Sequence, residues 1–199
     1  VTYTSSSLVK AYVGASGTAD DTLIGNLVTY AQKIVETYTG RVFDGTSTST
    51  RYFDAIEDVE DRKLYFDEDV FSISTIYNRA DAGAGSESIG TSSYVTIPRN
   101  YKPYYAIELL SSANKEWDYQ DDPETGIRVT ASWRYSETAP SDIVQATTRL
   151  AAFLYRQKDT SSDLDRPLLT DSGVTILPSQ VPHDVKQMLE PYRKRFVKA

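Results

Sequence analysis

A change of hydrophobic period constrains this 199-residue chain more than any other feature. From Thr18 to Phe43 (TADDTLIGNLVTYAQKIVETYTGRVF) apolar residues recur at Leu23, Leu27, Tyr30 with Ala31, Ile34 and Tyr38. Ile24 and Val35 widen the stripe. Steps of three and four residues place these side chains on one face of a helix. From Thr50 the period falls towards two, and at Pro140 the helical spacing returns. The pattern predicts an α+β protein. In it a helical bundle core (helices near 18–41, 140–158 and 182–197) carries a β-rich insertion. The expected division is residues 1–43 and 139–199 for the helical core and 44–138 for the insertion.

The helix ends have chemical signals. Thr18 with Asp21 three residues on reads as a capping pair, and Asp20 and Asp21 suit the positive end of the helix dipole. Gly40 stands where a left-handed stop residue belongs, followed by Arg41 beside the negative end. Tyr38 and Phe43 are expected to pack, and Arg41 to form a salt bridge or a subunit contact. Gly25 inside the helix costs about 1 kcal/mol relative to Ala and has no explanation unless a neighbouring element crosses closely there. Ser5 to Val13 reads as a short first helix stopped by Gly14 and Gly17. The helix from Pro140 carries a seam of Ile143, Thr147, Leu150 and Leu154, broadened by Ala146, Ala151 and Phe153. A last helix starts near Pro182 and runs through Val185, Met188, Leu189, Tyr192 and Phe196, with Pro191 bending or restarting it. Residues 159–180 form a connection long enough to be functional or disordered.

Between the helices, RYFD (51–54), KLYFD (63–67), VFSISTIYN (70–78), SYVTIP (93–98) and YAIELL (105–110) are rich in β-branched and aromatic residues. Phe71, Ile73 and Ile76 imply a register change inside the third of these. GIRVTASWRY (126–135) alternates most cleanly: Ile127, Val129, Ala131 and Trp133 face one way and Arg128, Thr130, Ser132 and Arg134 the other. Ala80 to Ser92 reads as an exposed hairpin tip or mobile loop.

Composition narrows the function classes. A formal net charge of −7 opposes a protein that wraps nucleic acid by neutralising phosphates, though DNA could slide past such a surface. Without cysteine there are no disulfides, thiolate nucleophiles or thiolate metal ligands. No apolar run is long enough to span a membrane, and the opening VTYTSSSLVK lacks the pattern of a secretory signal. Tyrosine is abundant, 15 against 6 phenylalanines and 2 tryptophans. That suits interfaces and half-buried sheet faces.

Catalytic patterns are missing. His183 is the single histidine, so neither a Ser-His-Asp triad nor a multi-histidine metal site can be built from one chain, and a surface or capping role is expected for it. GAGSESIG (83–90) lacks the Lys-Ser/Thr ending of a phosphate loop. Carboxylates cluster at 54–61 and 118–124. The second cluster has Asp118, Gln120 and Asp122 in calcium-loop order, but Pro123 replaces the glycine such a loop turns on, so a solvated acidic turn is expected. Neither a metal site nor a cofactor site is assigned. Trp117 and Trp133, with the carboxylates of 118–124, define the alternative of a carbohydrate-binding or hydrolytic β domain. The last segment is basic on an acidic body, with Lys186, Arg193, Lys194, Arg195 and Lys198, which suits oriented docking on a partner.

Four stretches together resemble the head–tail connector (adaptor, or head-completion) family of tailed bacteriophages and gene-transfer particles. They are AQKIVETYTGRVF, with its Tyr38-Thr39-Gly40-Arg41 close; RYFDA with LYFDEDVFSISTIY; PSDIVQATTRLAAFLYRQKD; and LEPYRKRF. They cover about half the chain, and residues 78–119 carry none of the motifs. The resemblance implies a virion structural protein of the neck, made in the host cytoplasm, with no enzymatic activity. It implies a homo-oligomeric ring, usually a dodecamer, that joins the portal protein to a downstream neck, stopper or tail protein. DNA would pass through its channel without sequence-specific binding, and no membrane is involved. By the same resemblance Lys186, Tyr192, Arg193, Lys194, Arg195, Phe196 and Lys198 become candidate portal contacts. Arg41, Leu168 and Leu169 become candidate subunit contacts. A stopper or tail-terminator ring is the structural alternative.

Overall fold

The computed structural model describes residues 2–45, 48–157, 168–169, 175–176 and 181–194. The protein is α+β and strand-rich, and it divides into two compact units, 1–40 with 139–195 and 41–138 with 196–199. The helical segments belong to one unit and the strands dominate the other. The strands form one antiparallel sheet with a hydrophobic core of its own.

The helical unit contains α1 (Ser6–Val13), α2 (Asp21–Thr39), α3 (Ser141–Gln157) and α4 (His183–Leu189). The last is followed by a 3-10 turn, Glu190–Tyr192, that holds Pro191, so the α-helix ends where proline removes a donor. Gly40 closes α2 in the left-handed region at φ 68°, its N–H bonded to the Glu36 carbonyl. The N-terminal cap departs from expectation. Asp20 is the cap residue and makes no side-chain capping bond, and Thr18 contributes its carbonyl to Asp21 N–H. The acids act elsewhere, Asp20 accepting from the Tyr155 hydroxyl and Asp21 pairing with Lys10.

The buried face of α2 is also rotated from the expected one. Ile24, Val28, Ala31, Val35 and Thr39 are buried, whereas Leu23 is 38% exposed and Tyr30 57%. The helix it meets explains this. α3 buries Ile143, Ala146, Thr147, Thr148, Leu150, Ala151 and Ala152 around most of its circumference, many of them small, while Phe153 and Leu154 are half-buried. Small residues on both helices let them approach closely, so the smaller face of α2 turns inward. Gly25 stands near Ser6, whose Oγ would lie 3.8 Å from an added Cβ; ordinary contact, so the crossing does not demand glycine.

In the second unit β1 (Ser49–Phe53), β2 (Val59–Glu60), β3 (Lys63–Asn78), β4 (Glu87–Ser88), β5 (Tyr94–Ile97), β6 (Tyr104–Leu109) and β7 (Ile127–Trp133) build the sheet. Its order is β1-β7-β3-β6-β5, with β2 and β4 pairing on β3. The expected strands 63–67 and 70–78 are one 16-residue strand. Its first part pairs with β6 and its later part with β7, with a register shift between Tyr65 and Val70. A further shift between Ile73 and Thr75 matches the predicted register change. The stretch 80–92, expected as an exposed hairpin tip or mobile loop, includes a hairpin tip: Tyr77 pairs with Ser88 and Asn78 with Glu87 around a 3-10 turn at 80–85, and Ile89 beyond it is buried. In the 159–180 connection only β8 (Leu168–Leu169) and β9 (Thr175–Ile176) are described, as an antiparallel pair.

The sheet buries one face, and the predicted alternation in β7 holds from Ile127 to Ala131, whereas Ser132, expected on the wet face, is buried. Phe53, Leu64, Val70, Ile76, Ile107, Leu109, Ile127 and Val129 are almost fully buried there. Phe53, Phe66 and Trp133 meet with ring centroids 5.6 to 5.8 Å apart, in tilted and edge-on arrangements.

Candidate functional site

The basic end of the chain is placed at the C-terminal end of α2. The last carbonyls of a helix lack intrahelical partners and carry the negative end of its dipole. α2 has no basic residue in its own last turn. Residues 192–194 supply what is missing: the Lys194 N–H donates to the Thr39 carbonyl at 2.7 Å. The Arg193 guanidinium lies 5.8 Å from the Tyr38 ring centroid and 3.7 Å from Glu190. The Tyr38 hydroxyl donates to Glu190 at 2.9 Å, and this bond holds its pKa above the ordinary phenol value. Tyr192 donates to Asp142 at 3.3 Å. Of the candidate portal contacts, Tyr192, Arg193 and Lys194 therefore gather around the Tyr38-Thr39-Gly40 close. Arg193 is exposed and the other two half-buried. Lys186 is half-buried on α4, and Arg195, Phe196 and Lys198 lie outside the described residues.

The candidate subunit contacts belong to different units. Arg41 belongs to the sheet unit, where its guanidinium pairs with the buried Asp69 and lies 5.1 Å from the Tyr135 ring centroid. Its charge is thus answered within its own chain, and Asp69 Oδ2 is buried without a hydrogen-bond partner. Leu168 and Leu169 form β8, paired with β9.

The residues of the carbohydrate alternative are structural in this fold. Trp133 is 7% exposed in the sheet core and donates its indole N–H to the Ser49 carbonyl at 2.9 Å. Trp117 packs against the same core and donates to the Arg62 carbonyl at 3.0 Å. The carboxylates of 118–124 do not converge on a point. Instead Asp81 Oδ2 accepts the backbone N–H groups of Gln120, Asp121 and Asp122 at 2.9, 2.6 and 3.0 Å. These bonds, that from Asp121 foremost, lower the Asp81 pKa below the ordinary carboxylate value. Sequence reading missed Asp81, because a carboxylate binding amides about 40 residues away leaves no local pattern. Among the described residues no group of three or more His, Asp or Glu side chains is arranged to hold a metal ion.

A polar groove of about 500 Å³ opens beside Trp117, lined by Arg62, Arg79, Glu87 and Lys115. Its cations are engaged: Lys115 with Glu87, Arg79 facing Asp118 at 3.8 Å, and Arg62 with the carbonyls of Leu109 and Leu110. His183 is exposed, with a ring nitrogen 3.1 Å from the Gln187 amide nitrogen. Among the described residues these arrangements pair no nucleophile with a base.

The fold has a known counterpart. It is similar to a chain in the structure described as the neck of an empty gene transfer agent (GTA) particle computed with C6 symmetry. The TM-score is 0.58 at 15% sequence identity, and the alignment covers 98% of this chain and 91% of the other. At that identity the similarity establishes a shared fold. No family model and no curated protein match the sequence.

Proposed function

We propose that this protein is a non-enzymatic structural component of the neck of a phage-like particle. It forms a ring that joins the portal of the capsid to the next neck or tail protein and extends the DNA channel. The observation that carries this reading is the shared fold with a GTA neck chain over nearly the whole length of both proteins. The connector-type motifs at Tyr38-Thr39-Gly40-Arg41 and in residues 189–196 support it independently. The basic residues at the end of α2, Arg193 and Lys194, with Lys186, would face the portal. Burial of Trp133 in the sheet core, with Trp117 packed against that core and its indole N–H bonded to the Arg62 carbonyl, favours this reading over a sugar-binding one.

The test is assembly. Native mass spectrometry and electron microscopy of the purified full chain, alone and mixed with a portal protein encoded beside it, should give one closed ring, dodecameric if the resemblance extends to copy number. A chain that stays monomeric at every concentration and does not bind the portal would refute the proposal.

A further inference from the structure

Charge is distributed unevenly along β7. Before its first residue lie the turns 54–61 and 121–124, tied together by the Ala55 N–H donating to the Pro123 carbonyl at 2.9 Å. Asp61, Asp122 and Glu124 are exposed there, and none forms an ion pair among the described residues. Just beyond the last residue of β7 is Arg134, roughly 20 Å away at the usual rise per residue. The turn 98–103 is its neighbour, since Trp133 of β7 and Tyr104 of β6 both stand opposite Val70 of β3.

This second end is cationic and held by aromatic rings instead of carboxylates. The Lys102 ammonium lies 3.9 Å and the Arg134 guanidinium 4.8 Å from the centroid of the same Phe71 ring. Arg99 and Lys102 are exposed, and Tyr101 between them is 70% exposed. Among the described residues none of these three cations has an ion-pair partner. The acids nearest to them on β3 are otherwise occupied, Glu68 with Arg51 at 2.9 Å and Asp69 with Arg41, while Asp67 is exposed. Acids outnumber bases 28 to 21 in this chain, so unpaired cations are not explained by a shortage of carboxylates.

We infer that copies of this chain join head to tail through these two ends, the Arg99–Lys102–Arg134 end of one copy receiving the acidic turns of the next. This rests on the ring reading above and specifies the contact that would build it. A ring requires two different, mutually complementary patches on each subunit, because a self-complementary patch closes into a dimer. Opposite charge at the two ends of one sheet meets that requirement and orients the encounter. Stacking on Phe71 holds Lys102 and Arg134 in place before contact, and exposed Tyr101 supplies the apolar area that charge alone lacks.

Charge exchange in the full chain tests the contact, read by sedimentation and native mass. Lys102→Glu and Glu124→Lys are both at exposed positions and should leave thermal melting unchanged. Each is expected to weaken self-association about tenfold, with added salt acting in the same direction. The double variant Lys102→Glu/Glu124→Lys should recover much of the loss. Wild-type rings accompanied by equally stable rings of both single variants would overturn this contact and leave the ring reading standing. A wild-type chain that never assembles would overturn both. Binding of a DNA duplex by the wild type that Lys102→Glu abolishes, with assembly unchanged, would assign the cationic end to phosphate and overturn the subunit contact.

Discussion

The two units solve burial in different ways. The helical unit buries many small and hydroxyl side chains: Ala31 and Thr39 of α2, and Ala146, Thr147, Thr148, Ala151 and Ala152 of α3. The threonine hydroxyls are satisfied without leaving their helices. Thr39 donates to the Val35 carbonyl at 2.8 Å, Thr147 to Ile143 at 2.7 Å and Thr148 to Val144 at 2.8 Å. A further bond at 2.6 Å joins Thr4 and Thr148. The sheet unit instead buries large rings and branched side chains, with Phe53, Phe66 and Trp133 at its centre. Close approach of backbones suits the first design and interlocking of bulk the second. Truncation should therefore injure the sheet, and added volume or altered backbone should separate the two.

The largest effect is expected from Phe53→Ala. Phe53 is 1% exposed and touches Phe66 and Trp133, so its loss should destabilise the chain by about 3–5 kcal/mol in denaturant unfolding. A loss under 1 kcal/mol would break the comparison. Next comes Gly126→Ala. An added Cβ would stand 2.8 Å from Tyr119 Cβ and 3.0 Å from Ala55 Cβ, atoms close to the backbone that cannot swing away. A destabilisation of about 1–3 kcal/mol follows, read as a lower unfolding midpoint.

The same exchange in the other unit should have the opposite sign. Gly25→Ala adds a Cβ at ordinary contact distance, 3.8 Å, from Ser6 Oγ, so α2 should gain up to about 1 kcal/mol. A higher melting temperature would confirm that tight packing of α2 and α3 does not involve this position. The smallest effect concerns pH. The Asp81 pKa is lowered in the folded state, so its contribution is present above the ordinary carboxylate pKa and is lost as pH falls through the lowered value. Asp81→Asn should remove that acid-side loss, giving a flatter stability profile between neutral and acidic pH. An unchanged profile would mean the turn 120–122 is held by other bonds.

Of the fold, local signals carried most. The left-handed stop at Gly40, the proline-limited end of α4 and the alternation along β7 are readable because each depends on a residue and its near neighbours. Of the candidate surfaces, the basic terminus was legible as composition, but its position against Tyr38 and Thr39 was not. That contact joins residues more than 150 positions apart and follows from which carbonyls of α2 need a donor.

The sequence by itself determined that α2 is a helix, where it stops and that it has an apolar side. Two adjacent stripes compete for that side. One is Leu23, Leu27, Tyr30, Ile34 and Tyr38, larger in volume; the other is Ile24, Val28, Ala31, Val35 and Thr39. Periodicity cannot choose between them, since neighbouring residues lie only about 100° apart around the axis. Tertiary structure chose the smaller stripe because α3 presents alanines and threonines, against which small side chains bring the two helices closest. Likewise, alternation marked Arg134 as lying on the wet face of β7. Only the sheet's order placed it beside Lys102 and opposite the acidic turns in the one unit, because charge polarity belongs to the arrangement of strands and not to any one of them.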